Sequence, residues 1–372
     1  MGITIELEEN NTVIIHGKGL RGLMSSRHNI DAGNSGTTAR LLLGLLAGQN
    51  FSTTLIGDQS LQKRPMGRVT VPLKQMGAKI RGTHDGNFLP ITIQGGSLNG
   101  IEYALPVASA QVKSALILAT LYAKTPSIIH QPAPSRDHTE VMLKTFGGRI
   151  DSNQSTITAY PAEQLEGQDI YIPGDISSAA YFITAGLLVP NSVITVKNVG
   201  LNPSRTGILD VYRAMGAQLE IKSCYVSGGE PVGDITAATS NLKGTIIEGA
   251  LIPRLIDEIP IIALAATQAR STTIIRDAEE LKIKESNRID AVVNILNAMG
   301  ADIEATTDGM IINGPTPLYG RDIYPGMDHR IVMMGAIAAL IAQGETNIHG
   351  VKWADISYPG FFNTLKGLIK RT

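Results

Sequence analysis

One cysteine and one tryptophan occur in the whole 372-residue chain. The lone thiol, Cys224, excludes a disulfide framework and any metal site built from several cysteines, which suits a reducing cytoplasm. Excess charge of either sign is also missing, since 32 basic residues meet 33 acidic ones for a formal net charge of −1. That balance argues against a general nucleic-acid or anionic-membrane partner, so an anionic ligand must be held by local clusters of Arg and Lys. Long apolar runs are absent too. Leu41–Ala47 and Ile331–Ala342 are too short to cross a bilayer and read as buried helices. The opening residues, Met1-Gly2-Ile3-Thr4-Ile5-Glu6, have neither the basic nor the apolar region of a secretory signal, and we expect a cytoplasmic protein.

What the chain has is apolar material, 43% of its residues, and a length that suggests two or three domains at about 150 residues each. It is also a repeat. A short phrase recurs as Met76-Gly77-Ala78-Lys79-Ile80, Phe146-Gly147-Gly148-Arg149-Ile150, Met215-Gly216-Ala217-Gln218-Leu219 and Met299-Gly300-Ala301-Asp302-Ile303, at intervals of 70, 69 and 84 residues. Each copy closes an amphipathic helix and opens a strand, with Gly where a helix C-terminus needs φ > 0. A long, nearly constant period means a repeated structural unit.

Every unit carries the same parts in the same order. An apolar helix comes first, at Thr38–Ala47, Ala110–Ala123, Ser178–Val189, Ile259–Ala269 and Ile331–Ala342. A β-branched strand follows, at Ser52–Ile56, Ser127–His130, Ser192–Val196, Ser271–Ile275 and Thr346–Ile348. Then comes an amphipathic helix, at Arg64–Met76, His138–Phe146, Arg205–Met215, Glu285–Met299 and Tyr358–Ile369, and two strands close the unit. Helices that are apolar on all sides belong at the centre of a domain, with amphipathic helices and sheets around them. The chain starts mid-repeat, for Met1–Ile5 is itself a copy of the phrase and Ile3–Ile15 reads as a closing strand pair. The hinge is expected at Pro173-Gly174, giving a first domain at 1–172, with two complete repeats and the tail of another, and a second at 173–372 with three.

The most chemically suggestive stretch is Gly33-Asn34-Ser35-Gly36-Thr37-Thr38-Ala39-Arg40. Gly and short hydroxyl side chains feed a helix, so backbone N–H groups converge on its positive end and Arg40 adds a planar fork of donors. The same residues also suit a plain capped core helix, and by themselves they leave both readings open. Other helix starts repeat the polar pattern: Ser109-Ala110-Gln111, Asp175-Ile176-Ser177-Ser178, Asp257-Glu258 and Asp328-His329-Arg330. On the amphipathic helix from Glu285, Lys284 and Arg288 are four apart and are expected on one face, with Glu285 alongside. Arg64, Arg288 and Arg330 with a Lys, Asp257 and Glu285 supply what a reaction joining two polyanions needs: fixed cations, an acid and a base. Lys282 reads as a surface ion pair, His138 and His329 as general bases or helix caps, Cys224 as a structural strand residue and Trp353 as packing.

Those motifs, taken in order with Lys63-Arg64-Pro65-Met66, Pro173–Ala179 and Lys284-Glu285-Ser286-Asn287-Arg288, resemble the 5-enolpyruvylshikimate-3-phosphate synthase family over essentially the whole chain. The resemblance implies an α/β (α+β) chain with a two-domain inside-out α/β barrel-like fold of βαβαββ repeats. It also implies transfer of the enolpyruvyl group of phosphoenolpyruvate to the 5-hydroxyl of shikimate 3-phosphate, with release of phosphate and no metal or organic cofactor. Ser109, Gln111, Arg136 and Lys284 would hold shikimate 3-phosphate. Gly36, Arg64, Arg288 and Arg330, with Gln111, would hold phosphoenolpyruvate. Asp257 would take the hydroxyl proton and Glu285 would help protonate the methylene carbon, with Lys284 beside them. Ser109-Ala110-Gln111 and Arg136 resemble the class often tolerant of glyphosate. The partners implied are these small molecules, met by a monomer or by this chain paired with an N-terminal fragment.

Two departures stand out. Family members begin with a segment bearing a Lys-Ser pair at the first central helix, which this chain lacks, and some carry a Lys where this chain has Ile356. One lost preorganised cation typically costs about 3 kcal/mol in a transition state, so the chain by itself is expected to be inactive, a scaffold awaiting an N-terminal piece. The sister enzyme acting on UDP-N-acetylglucosamine usually has a Cys on a mobile Arg-containing loop, a setting Cys224 does not have. RNA-terminal phosphate cyclase is disfavoured by the balanced charge and the lack of a nucleotide motif.

Overall fold

A computed structural model describes residues 1–9 and 12–368, which fall into two compact units, Met1–Ile170 and Tyr171–Thr372. In the first unit two four-stranded sheets are built alike. One runs in the order Ile30–Asp31, Ser52–Ile56, Phe88–Gln94, Lys79–Gly82, the other Glu102–Ala104, Ser127–His130, Thr156–Ala159, Ile150–Ser152. In both, the first two strands are parallel and the remaining pairs antiparallel. A helical crossover explains the parallel pair, because a helix must intervene before the chain can return in the same direction. The crossover helices are α1 (Gly36–Ala47) and α3 (Ala110–Thr120), and each sheet is completed after an amphipathic helix, α2 (Gly67–Gln75) or α4 (His138–Thr145). The hairpin Thr4–Leu7 with Val13–His16 is antiparallel and exposed along both strands.

In the second unit the plan recurs. Val193–Gly200, Glu230–Ala238 and Gln218–Ser227 form an antiparallel sheet, with Gly174 bridging in parallel to Val199. Ile246–Ile247, Ser271–Ile275, Met310–Gly314 and Asp302–Ala305 repeat the four-strand order, and Asp322–Ile323 pairs in parallel with Asn347–Ile348. Its apolar helices are α5 (Ile176–Leu188), α7 (Ile259–Thr267) and α9 (His329–Ala339); its amphipathic ones are α6 (Gly207–Ala214), α8 (Arg288–Ala298) and α10 (Phe361–Leu368).

Burial follows the apolar pattern. All nine residues of α7 are buried, and α5, α7 and α9 pack on one another at the centre of the unit. In the first unit α1 and α3 cross so closely that a Cβ at Gly44 would lie 2.1 Å from the carbonyl oxygen of Ala115. Only glycine permits that approach. The sheets lie outside these helices, an inside-out arrangement, and no sheet closes on itself among the described residues. The recurring glycines take positive φ, 112° at Gly77, 77° at Gly147, 79° at Gly216 and 102° at Gly300, as a helix C-terminal turn requires.

Several boundaries differ from the periodicity, for local reasons. Caps draw the helices to earlier starts: Ser35, Asp175 and Asp328 accept from backbone N–H groups at the starts of α1, α5 and α9, two residues ahead of the expected Thr38, Ser178 and Ile331. Four of the five amphipathic helices start later than expected, and α4 starts at His138 as expected. Asn287 caps α8 with its side chain, so Lys284 and Glu285 lie before the helix rather than on it. The shared helical face expected for Lys284 and Arg288 is therefore corrected. Arg64 likewise ends a 3-10 turn, Leu61–Lys63, ahead of α2, and Arg205 precedes α6. The expected end of the last helix at Ile369 lies outside the described residues.

Candidate active site

In the first unit the polar side chains gather at the starts of α1 and α3. Ser35 accepts the Thr38 N–H at 3.1 Å, and Ser109 accepts that of Val112 at 3.5 Å. The two helix starts are tied by Gln111, whose amide nitrogen donates to Thr37 Oγ1 at 2.7 Å and whose amide oxygen accepts from Arg40 Nη1. Arg40 also donates to the Pro65 carbonyl at 3.2 Å, next to Arg64 in sequence. A Cβ built on the buried Gly36 would stand 3.3 Å from Arg40 Nη1 and 3.4 Å from Arg64 Nη1. Gly36, Arg40, Arg64 and Gln111 thus form one cluster of donors at two helix N-termini, an arrangement suited to a phosphate or carboxylate. Arg136, half-buried, sits in the segment leading to α4.

In the second unit the centre is Asp257, just before the N-terminus of α7. Four cations face its carboxylate: Arg288 at 3.4 Å, Arg205 at 3.7 Å, Lys284 at 3.8 Å and Arg330 at 4.0 Å. Arg288, at 1% exposure, is held from three sides, donating to Asp328 at 2.8 Å and to Glu285 at 2.5 Å as well. Burial opposes the charge of Arg288, but Asp328 and Glu285 outweigh it and raise its pKa. Arg330 is likewise raised, by Asp257, Tyr181, Glu258 and Asp175 against the effect of burial. Asp328 stays below the ordinary carboxylate range because Arg288 and the hydrogen bonds from Arg288 and Ser286 overcome its burial. The phenol of Tyr181, fully enclosed, is pushed up to about 12 by burial, only partly offset by Arg330 and Arg288. It therefore keeps its proton at neutral pH.

One member of this centre, Arg205, has little sequence signal, and it links to a bond between two polar helix starts. Arg205 donates to Asp175 at 2.9 Å and to Ser177 Oγ at 2.5 Å, joining the α5 start to Asp257. Ser177 passes its own hydroxyl proton bond to Glu258, a carboxylate at 1% exposure whose second oxygen has no hydrogen-bond partner. The apolar and amphipathic pattern marks Arg205 only as a helix start. The compact turn Asn202-Pro203-Ser204, in which Asn202 Oδ1 accepts from Ser204 N at 2.8 Å, is the one local hint that its position is built.

A family model described as EPSP synthase (3-phosphoshikimate 1-carboxyvinyltransferase) matches residues 1–365. The chain belongs to the EPSP synthase family. It is 54% identical over 371 residues to the 3-phosphoshikimate 1-carboxyvinyltransferase of Bacillus pumilus, covering all of this chain and 86% of that one. It is also 54% identical to that of Geobacillus kaustophilus, covering 99% and 87%. The solved EPSP synthase of Acinetobacter baumannii superposes with a TM-score of 0.88 at 40% identity, over 99% of this chain and 85% of that one. The enolpyruvyl transferase NikO from Streptomyces tendae, at 16% identity and a TM-score of 0.76, is similar in fold. EPSP synthase neighbours thus share the inside-out α/β plan, and this chain is an enzyme of that transferase family.

The remaining residues are placed as follows. Asp328 caps α9 and His329 is its first residue, so the cap is the aspartate; the ring Nδ1 of His329 is buried with no hydrogen-bond partner. Lys282 donates to the Thr307 carbonyl. Cys224, expected to be structural, is on the strand Gln218–Ser227 and exposed, with its thiol 3.9 Å from the Lys222 carbonyl oxygen. Trp353 packs half-buried against the core, and Ile356 is exposed. No helix among the described residues is long and apolar enough to cross a membrane.

Proposed function

We propose that the chain transfers the enolpyruvyl group of phosphoenolpyruvate to the 5-hydroxyl of shikimate 3-phosphate, releasing phosphate, as a step of the shikimate pathway. The observation that carries this reading is the convergence of Arg288, Lys284 and Arg330 on Asp257, within 4.0 Å, in a chain of this family. Asp257 accepts the proton of the 5-hydroxyl as the oxygen bonds to C2 of phosphoenolpyruvate. Glu285, held by Arg288, delivers a proton to the C3 methylene. The tetrahedral product then loses phosphate, and the methyl group returns a proton as the double bond re-forms. Fixed cations stabilise charge that develops in such a step far better than water does, because they need no reorganisation.

Ser109, Gln111 and Arg136 with Lys284 hold shikimate 3-phosphate in this reading, and Gly36, Arg64, Arg288 and Arg330 hold phosphoenolpyruvate. The cluster at the α1 and α3 starts supports the anion assignment. A cytoplasmic monomer working on small molecules is the setting we propose, in keeping with the single cysteine. The test is phosphate release from the two substrates together, with the enolpyruvyl ether identified by NMR. Release by the chain alone would overturn its expected inactivity, whereas release only with UDP-N-acetylglucosamine as acceptor, or none with either acceptor even when an N-terminal fragment from a relative is added, would overturn the proposal.

A further inference from the structure

A deeply buried ion pair of the first unit has no part in the reaction described above. Lys113 on α3 and Glu140 on α4 meet at 2.6 Å, Nζ to Oε1, with their side chains 1% and 3% exposed. Stability is a weak reason for such a pair, since replacement by apolar residues of similar volume is often neutral or better. Here, too, burial prevails over the attraction of Lys113 and raises the pKa of Glu140, and the second carboxylate oxygen has no hydrogen-bond partner.

What the pair does hold is backbone. Lys113 Nζ also donates to the Ser135 carbonyl at 3.3 Å, and that carbonyl lies in the same rigid peptide plane as the nitrogen of Arg136. One residue further along α3 and one back along α4, the hydroxyls of Ser114 and Thr139 are 2.6 Å apart. These two adjacent rungs register the start of α4 against α3. Ser135 is clamped again from the other side, its N–H and hydroxyl both donating to Gln131 Oε1 at 3.3 and 2.9 Å. Ser109 and Gln111 stand at the start of the same α3.

We propose that Lys113 and Glu140 are positioning residues for shikimate 3-phosphate, locking the peptide that bears Arg136 in register with Ser109 and Gln111. At 1% exposure Lys113 does not meet the ligand, so it acts only through the segment it pins. The inference rests on the assignment of Ser109, Gln111 and Arg136 to that substrate.

The test uses the double variant K113M/E140M, which removes both charges without leaving one buried alone. KM for shikimate 3-phosphate should rise roughly ten- to hundredfold, as misplacement of a binding group by about an ångström does. KM for phosphoenolpyruvate and kcat should stay near the parent values, and so should the melting temperature. Lys113→Met alone should show the same split, with Glu140 free to take up a proton. Glu140→Gln, which leaves Lys113 an acceptor and keeps Ser135 pinned, should restore near-parental KM. Folded Met variants that bind shikimate 3-phosphate as the parent does would overturn the inference, and so would failure of both Met variants to fold, which would make the pair a stability element. Arg136→Ala separates the two levels. If it leaves shikimate 3-phosphate binding intact, the underlying assignment fails and the inference with it. If it weakens binding while K113M/E140M does not, only the inference fails.

Discussion

Arg288 Nε donates to Asp328 Oδ2 at 2.8 Å with 1% and 0% of the two side chains exposed, so each is the other's answer to the loss of water. The same aspartate accepts from Ser286 Oγ at 2.9 Å and from the Arg330 N–H at 3.0 Å. Asp328→Ala therefore leaves the buried Arg288 with two of its three carboxylates, Glu285 and Asp257, and uncaps α9 at once. The expected loss is about 1–3 kcal/mol from the buried N–H groups left without their acceptor, with roughly 1 kcal/mol more from the cap. Asp328→Asn keeps an acceptor at the cap and should lose less. Urea unfolding of the three proteins checks the order, and equal stability of Ala and parent would refute it.

Arg205 is expected to matter for turnover although no motif marks it. It spans Asp175, Ser177 and Asp257, so Arg205→Met removes one of the four cations that orient Asp257 and its link to the α5 start. We expect kcat to fall roughly tenfold or more with the fold retained, as for other losses of orientation. Steady-state kinetics with circular dichroism decides this, and an unchanged kcat rules the role out.

Gly36 has little room for a side chain beside the two guanidinium groups. The methyl group of Gly36→Ala would meet the guanidinium nitrogens of Arg40 and Arg64 at 3.3 and 3.4 Å and push them by a few tenths of an ångström. KM for phosphoenolpyruvate should rise roughly tenfold, with that for shikimate 3-phosphate little changed. A variant with both constants unaltered would remove Gly36 from the phosphoenolpyruvate site.

Stability should fall on acidification in two stages. His329 is held below its ordinary 6.5 by burial and by Arg330 and Arg288, against the pull of Asp328 and Glu285. The unfolded chain thus takes up that proton first, and the contribution, complete above 6.5, is lost as the pH falls from there through the folded value. Asp328 and Asp175, both lowered from 3.8 by their arginines despite burial, act in the same sense at lower pH. Glu140, raised from 4.5 by burial, acts oppositely, and the fold loses its contribution as the pH rises through the folded value. Melting temperatures of His329→Gln and parent, compared from pH 7.5 to 5, isolate the histidine. The variant should gain on the parent as the pH falls, and a constant difference would count against this account.

Much of the fold was legible because its signals are local. The phrase around Gly77, Gly147, Gly216 and Gly300 marks helix ends by a backbone need that sits in one residue. The apolar runs name the central helices because burial on all sides leaves no polar face. Boundaries were less legible. Asn287 caps α8 and so removes Lys284 from the helix, and a periodicity that counts only apolar residues does not see a side chain accepting a backbone N–H. The clustering of Asp257, Lys284, Arg288 and Arg330 drew on motifs spread over more than seventy residues. Its missing member, Arg205, stands in a stretch whose apolar pattern shows only a helix start.

The amino-acid sequence by itself determined the repeat, the order of helices and strands, and the polar character of the helix starts, since each depends on residues a turn or two apart. Only the tertiary structure decided which charge answers which. The pairs Arg288–Asp328, Lys113–Glu140 and Arg205–Asp257 each join segments 27 to 52 residues apart in the chain. Their partnership comes from packing that excludes water, and a charge deprived of water takes whatever opposite charge the fold brings within reach.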